Sequence, residues 1–90
     1  MSAEIATLLV RWPYVCGGRL RISGTRTTVN QLVAWYKQRY TPEEIADQYP
    51  HLTLAQVYTA LAYYHANREE IEADLTAEKA EADRLEQEYR

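Results

Sequence analysis

The segment from Thr41 to His65 contains two helix starts of the same type, separated by a turn over residues 49–52. The first start reads TPEEIA and the second TLAQVY. In each, a threonine can cap the first free N–H groups, and the residue three positions later can reach back to the threonine's own N–H. Pro50 prevents Tyr49 from continuing the first helix. Two helices joined so tightly must cross at a steep angle, which predicts a helix-turn-helix whose second helix projects outward.

Apolar residues at helical spacing extend this pattern to three helices. Thr27 or Thr28 can cap a first helix from about Val29 to Tyr40. The second helix is predicted from Pro42 to about Gln48, and the third begins after Thr53. The expected core residues are Val29, Leu32, Val33, Tyr36 and Tyr40 in the first helix, Ile45, Ala46 and Tyr49 in the second, and Leu54, Val57, Leu61 and Tyr64 in the third. Three such helices predict a compact trihelical core.

The segments before and after these helices differ in character. Leu8-Leu9-Val10 and Leu20-Arg21-Ile22 are separated by a proline and paired glycines, which predicts two small strands or a loose hairpin. From Arg68 onward the chain is rich in Ala, Glu, Lys, Leu and Arg without Gly or Pro, which predicts a long exposed helix. The predicted fold is therefore mainly α. Residues 1–66 form the strands and the helix-turn-helix domain, and residues 67–90 form an amphipathic acidic C-terminal helix.

Size and composition fit one small globular domain, because the 90 residues are 47% hydrophobic and 26% charged. A high surface-to-volume ratio favours self-association, so we expect a homodimer. The single cysteine, Cys16, excludes an internal disulfide and favours a reducing compartment. The apolar stretch from Ile5 to Val10 is too short to span a bilayer, and Arg11 follows it where export would need a cleavage site. We therefore expect a cytoplasmic protein without membrane contact.

Charge is divided unevenly along the chain. Residues 1–40 carry six basic residues and one acidic residue, a net charge of +5, whereas residues 41–90 carry four basic and twelve acidic residues, a net charge of −8. This asymmetry predicts two partners of opposite charge. The alternative is that both halves are ordinary solvated faces of one protein.

The outward positions of the third helix are the candidate contacts to DNA bases. A glutamine can pair with adenine through both amide atoms, threonines can contact bases, and tyrosine hydroxyls commonly reach phosphates. None of these outward residues is charged, so affinity for the DNA backbone must come from the basic N-terminal half. The alternative is that the tyrosines pack against the C-terminal helix or a second subunit. The predicted DNA-binding residues are Arg19, Arg21, Arg26, Lys37, Arg39, Thr53, Gln56, Tyr58 and Thr59.

The apolar residues of the C-terminal helix form a narrow seam that Glu78 interrupts. The helix cannot bury such a seam alone and needs its own domain, a second copy or another protein. A solvated helix that frays at its end is the alternative. The predicted partner-binding residues are Ile71, Leu75, Ala82, Leu85 and Tyr89.

The sequence contains no recognisable catalytic or metal-binding constellation. The segment from Gly17 to Thr25 departs from the spacing of a phosphate loop, although Gly24 is expected to permit an unusual backbone turn. His51, His65 and one cysteine do not have the spacing of a zinc site. We expect His51 to bond backbone groups of the interhelical turn. The protein is therefore predicted to be non-enzymatic, without a cofactor or metal.

Five short motifs occur in order along the chain. They are Cys16-Gly17-Gly18, Ile22-Ser23-Gly24-Thr25-Arg26, Thr41-Pro42-Glu43-Glu44-Ile45, Tyr49-Pro50-His51-Leu52-Thr53 and Ala60-Leu61-Ala62-Tyr63-Tyr64. In this order and spacing they resemble the bacterial domain-of-unknown-function family 433. The resemblance implies a homeodomain-like trihelical fold and, for many members, the role of an antitoxin against a toxin that looks like a PIN-type ribonuclease. This chain departs from the family pattern at Thr27-Thr28, where an apolar-Pro pair is usual, and at Leu20, where proline is frequent.

Three functional hypotheses follow. In the first, a homodimeric DNA-binding antitoxin places two helix-turn-helix units on its own operator, while its acidic C-terminal helix covers a basic groove of a PIN-like toxin. The second is a protein-interaction module without DNA binding, which the uncharged third helix favours. The third is a small hydrolase or nuclease, and it requires catalytic residues that are distant in sequence to converge in the fold.

Overall fold

The computed structural model describes residues 5–11 and 18–88, apart from the side chain of Ala6. The elements are a 3-10 turn (Ile5–Leu8), strands β1 (Leu9–Val10) and β2 (Arg21–Ile22), and helices α1 (Val29–Lys37), α2 (Pro42–Gln48), α3 (Leu54–Ala66) and α4 (Arg68–Glu88). A mainly helical chain with a small antiparallel sheet and a long C-terminal helix confirms the predicted fold class. Cys16 and Tyr89, which the sequence analysis singled out, lie outside the described residues.

Reciprocal threonine caps begin each of the first three helices. In every case the threonine hydroxyl accepts from the backbone N–H three residues later, and the side chain of that later residue accepts from the threonine's own N–H. The pairs are Thr28–Gln31, Thr41–Glu44 and Thr53–Gln56. The second and third caps confirm the prediction, and the structure selects Thr28 over Thr27 for the first. Helix α1 ends at Lys37 instead of about Tyr40 because Arg39 adopts a φ of 77°, outside the helical region.

One hydrophobic core joins α1, α2, α3, β2 and the start of α4. Its buried members are Ile22, Val29, Leu32, Val33, Ile45, Leu52, Val57, Ala60, Leu61, Tyr64 and Ile71. The predicted core residues of α1 and α2 are all buried or packed against this cluster. The prediction is wrong for Leu54, which is 45% exposed. Leu54 is the first residue of α3 and lies one turn before the buried stripe that starts at Val57.

The two short strands connect the N-terminal segment to the helices. Leu9 pairs with Ile22 in an antiparallel register, as the predicted hairpin requires. Ile22 is fully buried, so β2 is held by the helical core as well as by its partner strand. The backbone N–H of Val29 donates to the carbonyl of Leu20 at 3.0 Å, which ties the start of α1 to the same strand.

A single residue, Asn67, separates α3 from α4. Its backbone N–H donates to the carbonyls of Tyr63 and Tyr64, and its own carbonyl accepts from Ile71 N at 3.1 Å. The helix break therefore lies at residue 67. Ile71 nevertheless belongs to the core and is 3% exposed, so the first turns of α4 pack against the helix-turn-helix domain.

Two leucines on α3 provide a matched test of this packing. We expect Leu61→Ala to destabilise the protein by about 2–5 kcal/mol because it leaves a cavity in the core. Leu61 is 4% exposed, whereas Leu54 is 45% exposed. Leu54→Ala should therefore cost less than about 1 kcal/mol, as for substitutions at the surface. Urea unfolding of the two variants measures both values, and equal losses would contradict the position of α3.

Candidate nucleic-acid interface

The outer face of α3 begins with side chains that are committed to the helix cap. Thr53 Oγ1 accepts from Gln56 N at 3.2 Å, and Gln56 Oε1 accepts from Thr53 N at 2.7 Å. A bidentate pair with adenine uses the amide oxygen and the amide nitrogen of glutamine together. Because Oε1 faces the backbone of Thr53, Gln56 must give up its half of the cap to make that pair. Base recognition by Gln56 therefore competes with the start of α3.

Thr59 and Tyr58 were both predicted to face outward, but they differ in exposure. Thr59 is 7% exposed, and its hydroxyl donates to the carbonyl of Ala55 at 2.6 Å. Its predicted contact with DNA is therefore wrong, because the bond to the preceding turn lets the hydroxyl be buried. Tyr58 is 49% exposed, as predicted, and its hydroxyl donates to Glu43 Oε1 at 2.7 Å. This hydrogen bond lowers the pKa of Glu43 and raises the pKa of Tyr58.

Glu43 of α2 borders the outer face of α3, because it accepts the hydrogen bond from Tyr58. Glu43 and the other acidic residues of α2, Glu44 and Asp47, are exposed. Negative charge beside α3 repels a phosphate backbone. With Leu54 and Tyr58 both exposed, this face is apolar and acidic in the described part of the chain.

Arg21 holds a turn of its own chain. Its NH1 atom donates to the carbonyl of Thr25 at 2.9 Å, and its Nε atom is buried without a hydrogen-bond partner among the described residues. Gly24 in this turn has a φ of 80°, which confirms the expected unusual backbone. A phosphate contact by Arg21 would therefore compete with its contact to Thr25.

Carboxylates of α4 neutralise two of the predicted phosphate-binding residues. Arg19 Nε lies 2.5 Å from Glu78 Oε1, and Lys37 Nζ lies 2.6 Å from Glu72 Oε2. The uneven charge of the sequence predicted two separate partners. Part of that charge is instead paired within the chain, because α4 folds back against the basic half.

The other basic residues of this half lie at the surface. Arg26 and Arg39 are exposed. Arg39 and Arg68 line an open groove of about 730 Å³ between the α1–α2 connection and the start of α4. Arg11 NH2 lies 3.9 Å from a carboxylate oxygen of Glu70 in α4. Arg26 and Arg39 are therefore exposed members of the predicted phosphate-binding set.

Glu72 is the point where α1, α3 and α4 meet. Besides Lys37, it accepts a hydrogen bond from the hydroxyl of Tyr64. The bond from Lys37, followed by the bond from Tyr64, lowers the pKa of Glu72. The bond to Glu72, together with burial, raises the pKa of Tyr64. The ionised form of Glu72 is thus the one that the folded domain prefers.

The predicted partner seam of α4 divides into two parts. Ile71 is buried in the chain's own core, so its assignment to a partner is corrected, and Leu75 packs partly against the same cluster. Ala82 is exposed, and Leu85 is 41% exposed. Tyr89 lies outside the described residues. The break in the seam at Glu78 therefore marks where α4 leaves the domain.

The two histidines make side-chain contacts. His51 Nε2 lies 3.1 Å from Thr27 Oγ1, so its expected bond to backbone groups is replaced by a bond to a hydroxyl. His65 Nε2 lies 3.2 Å from the hydroxyl of Tyr36. Within residues 5–11 and 18–88, no three His, Cys, Asp or Glu side chains converge as metal ligands. In that same part of the chain, no helix has the length and apolar character of a membrane span.

We expect acidification to weaken the contact between α4 and the domain through Glu72. Because the folded chain lowers the pKa of Glu72, this contact stabilises the fold above the ordinary carboxyl value of 4.5 and is lost as pH falls through the lowered value. The difference in Tm between the parent protein and Glu72→Gln should therefore shrink below pH 4.5. Glu81→Gln is the control because Glu81 pairs with Arg84 within α4. A difference that stays constant across the acid range would contradict this role.

Comparison with known proteins places the chain in a family. The family model described as a protein of unknown function, DUF433, matches residues 10–64. A solved DUF433 member protein from Anabaena variabilis is 36% identical, with a TM-score of 0.72, over 78% of this chain and 69% of that chain. Comparison with curated proteins gives no match. The family match spans more than half of the sequence and the fold agrees, so this chain belongs to the DUF433 family.

Proposed function

We propose that the protein is a non-enzymatic antitoxin-type protein that binds a basic protein partner through the distal end of α4, which we define as residues 79–88. The observation that carries this proposal is the exposure of all ten of these residues. They follow Glu78 in the chain. Of the described contacts between α4 and the domain, the one from Glu78 to Arg19 is nearest to the C terminus. The family resemblance supports a PIN-like ribonuclease as the partner.

The distal end of α4 has the chemistry to bind a basic groove. Its four carboxylates belong to Glu81, Asp83, Glu86 and Glu88, and it carries two basic residues, Lys79 and Arg84. Arg84 bonds Glu81 and Glu88 within the helix, which supports the helical conformation without contact to the domain. A helix with no surface to cover its apolar residues gains little stability alone, so a partner that covers Leu85 would stabilise it.

Truncation separates the two parts of α4. A chain that ends at Glu78 keeps Ile71 and the described ion pairs to the domain, so its Tm should change by only a few degrees. Co-purification with the product of the adjacent gene should be lost. Leu85→Ala should weaken this complex, whereas Glu44→Gln, which alters a carboxylate of α2, should not. Normal complex formation by the truncated chain would rule out the distal end of α4 as the binding element.

DNA binding by the helix-turn-helix domain is a second candidate function. The observation that favours it is the pair of capped helices, α2 and α3, joined by a short turn, with residues 53–55 at the exposed start of α3. A homodimer would present two such helices to a palindromic operator. Arg26 and Arg39 would supply backbone contacts, with Thr53, Gln56 and Tyr58 near the bases.

Two substitutions distinguish base contacts from backbone contacts. Gln56→Ala should reduce discrimination between the operator and other duplexes by about 1–3 kcal/mol if Gln56 pairs with adenine. Arg39→Ala should weaken binding to all duplexes and reduce the slope of log K against log salt by about 0.9. Fluorescence anisotropy over a range of salt concentrations measures both effects. A response that is independent of salt would rule out DNA binding of this kind.

A further inference from the structure

We propose that the surface under α4 is a binding site for the phosphate backbone of nucleic acid, which α4 occupies as an internal polyanion. We call this surface the α4 seat and define it by the side chains that bond Glu72 and Glu78, namely Arg19, Asn30, Lys37 and Tyr64. The inference deepens the DNA-binding candidate and is independent of partner binding by the distal end of α4.

Each carboxylate on the α4 seat is bound by one cation and one neutral donor. Glu78 Oε1 lies 2.5 Å from Arg19 Nε and accepts from Asn30 Nδ2 at 3.1 Å. Glu72 accepts from Lys37 Nζ at 2.6 Å through one oxygen and from the hydroxyl of Tyr64 through the other. A cation beside an amide or hydroxyl donor is also the usual set of contacts to a phosphate oxygen. The α4 seat is thus two built anion sites, and the carboxylates of α4 stand where phosphates would bind.

The contacts of α4 with this surface are weak enough for an external anion to replace its carboxylates. Ile71 is buried beside the junction at Asn67, but Leu75 is only half-buried. Beyond Leu75, Glu78 bonds the domain through Arg19 and Asn30, and surface ion pairs such as Arg19–Glu78 are screened by salt. A tilt of α4 about Asn67 separates Glu78 from the seat first and Glu72 next. The core around Ile71 need not open for Arg19 to lose its carboxylate partner.

The position of the α4 seat in the charge pattern favours a polyanion over a single small anion. Both of its cations belong to residues 1–40, whose net charge in the sequence is +5. Arg26 and Arg39 are exposed cations of the same part of the chain. Affinity for nucleic acid rises with each phosphate that is neutralised. Release of Arg19 and Lys37 from the carboxylates of α4 would therefore add two phosphate contacts to those made by Arg26 and Arg39.

The test measures binding of a fluorescein-labelled duplex of about 20 base pairs and mixed sequence by the full chain. Glu72→Gln/Glu78→Gln keeps the side-chain shapes but removes both charges from the α4 seat. We expect its affinity at low salt to rise about tenfold or more, and its log K against log salt to become steeper by about two units, one for each released cation. Adding Arg19→Gln/Lys37→Gln to this variant should reverse both changes.

Glu81→Gln/Glu88→Gln is the matched control for net charge. It removes two carboxylates from the same helix and both ion pairs of Arg84, but it leaves the α4 seat covered. We expect its affinity to rise less than about threefold, with an unchanged salt slope. If the double variant of the seat is too unstable, the single variants Glu78→Gln and Glu81→Gln can be compared instead, because each removes one carboxylate charge.

Three results would overturn the inference. The first is an equal rise in duplex affinity for the seat variant and the control, which would show that net charge alone causes the rise. The second is binding of poly-glutamate by the seat variant as tightly as the duplex, which would make the site a carboxylate site. The third is no duplex binding by either variant at low salt, which would also remove the DNA-binding candidate. Co-purification of the partner by the parent chain, tested separately, would leave the proposed partner binding intact.

Discussion

Three short helices depend on the threonine caps that fix where each one starts. Helices α1 and α2 have nine and seven residues, lengths at which an isolated helix is marginal in water. Each cap satisfies two backbone donors that would otherwise be unpaired, and the loss of such a cap typically costs about 0.5–2 kcal/mol. Because the caps at Thr41 and Thr53 flank a turn that Pro50 prevents from being helical, they also fix the angle at which α3 leaves α2. The buried stripe of α3 then joins Ile45 and Ile22 in one hydrophobic cluster.

The second organising feature is the contact between the basic N-terminal half and the acidic α4. The bonds of Glu72 and Glu78 to Lys37 and Arg19 place α4 across the domain, and Ile71 anchors its first turn. Burial of one isoleucine contributes about 1.5–3 kcal/mol, so apolar packing holds the start of α4 while polar contacts orient the rest. The same helix therefore has two roles in the proposals above. Its first half covers a cationic surface, and its second half is available to a partner.

The outer face of α3 is less suited to DNA than its position in the fold implies. A helix-turn-helix presents this face to the major groove, yet Glu43 lies beside it and accepts a hydrogen bond from Tyr58. Gln56 uses its amide oxygen to cap α3. These contacts explain why partner binding by α4 is the leading proposal and why nucleic-acid binding is assigned mainly to basic residues outside α3.

Local sequence determined the helix starts, the small hairpin and most of the core. The two residues of a threonine cap lie three positions apart, so the caps at Thr41 and Thr53 were predictable from local sequence. The buried face of α1 was predictable as well, because apolar spacing marks the buried face of a helix wherever that helix packs. The sequence also marked the break in the seam of α4 at Glu78. Only the tertiary structure decided which apolar and charged residues remain accessible. Leu54 is exposed because it lies one turn before the buried stripe of α3, whereas Thr59 is buried within that helix with its hydroxyl bonded to Ala55. Arg19 and Lys37 are neutralised by carboxylates more than thirty residues away. Such pairings depend on how α4 folds back at Asn67, which no local pattern of residues specifies.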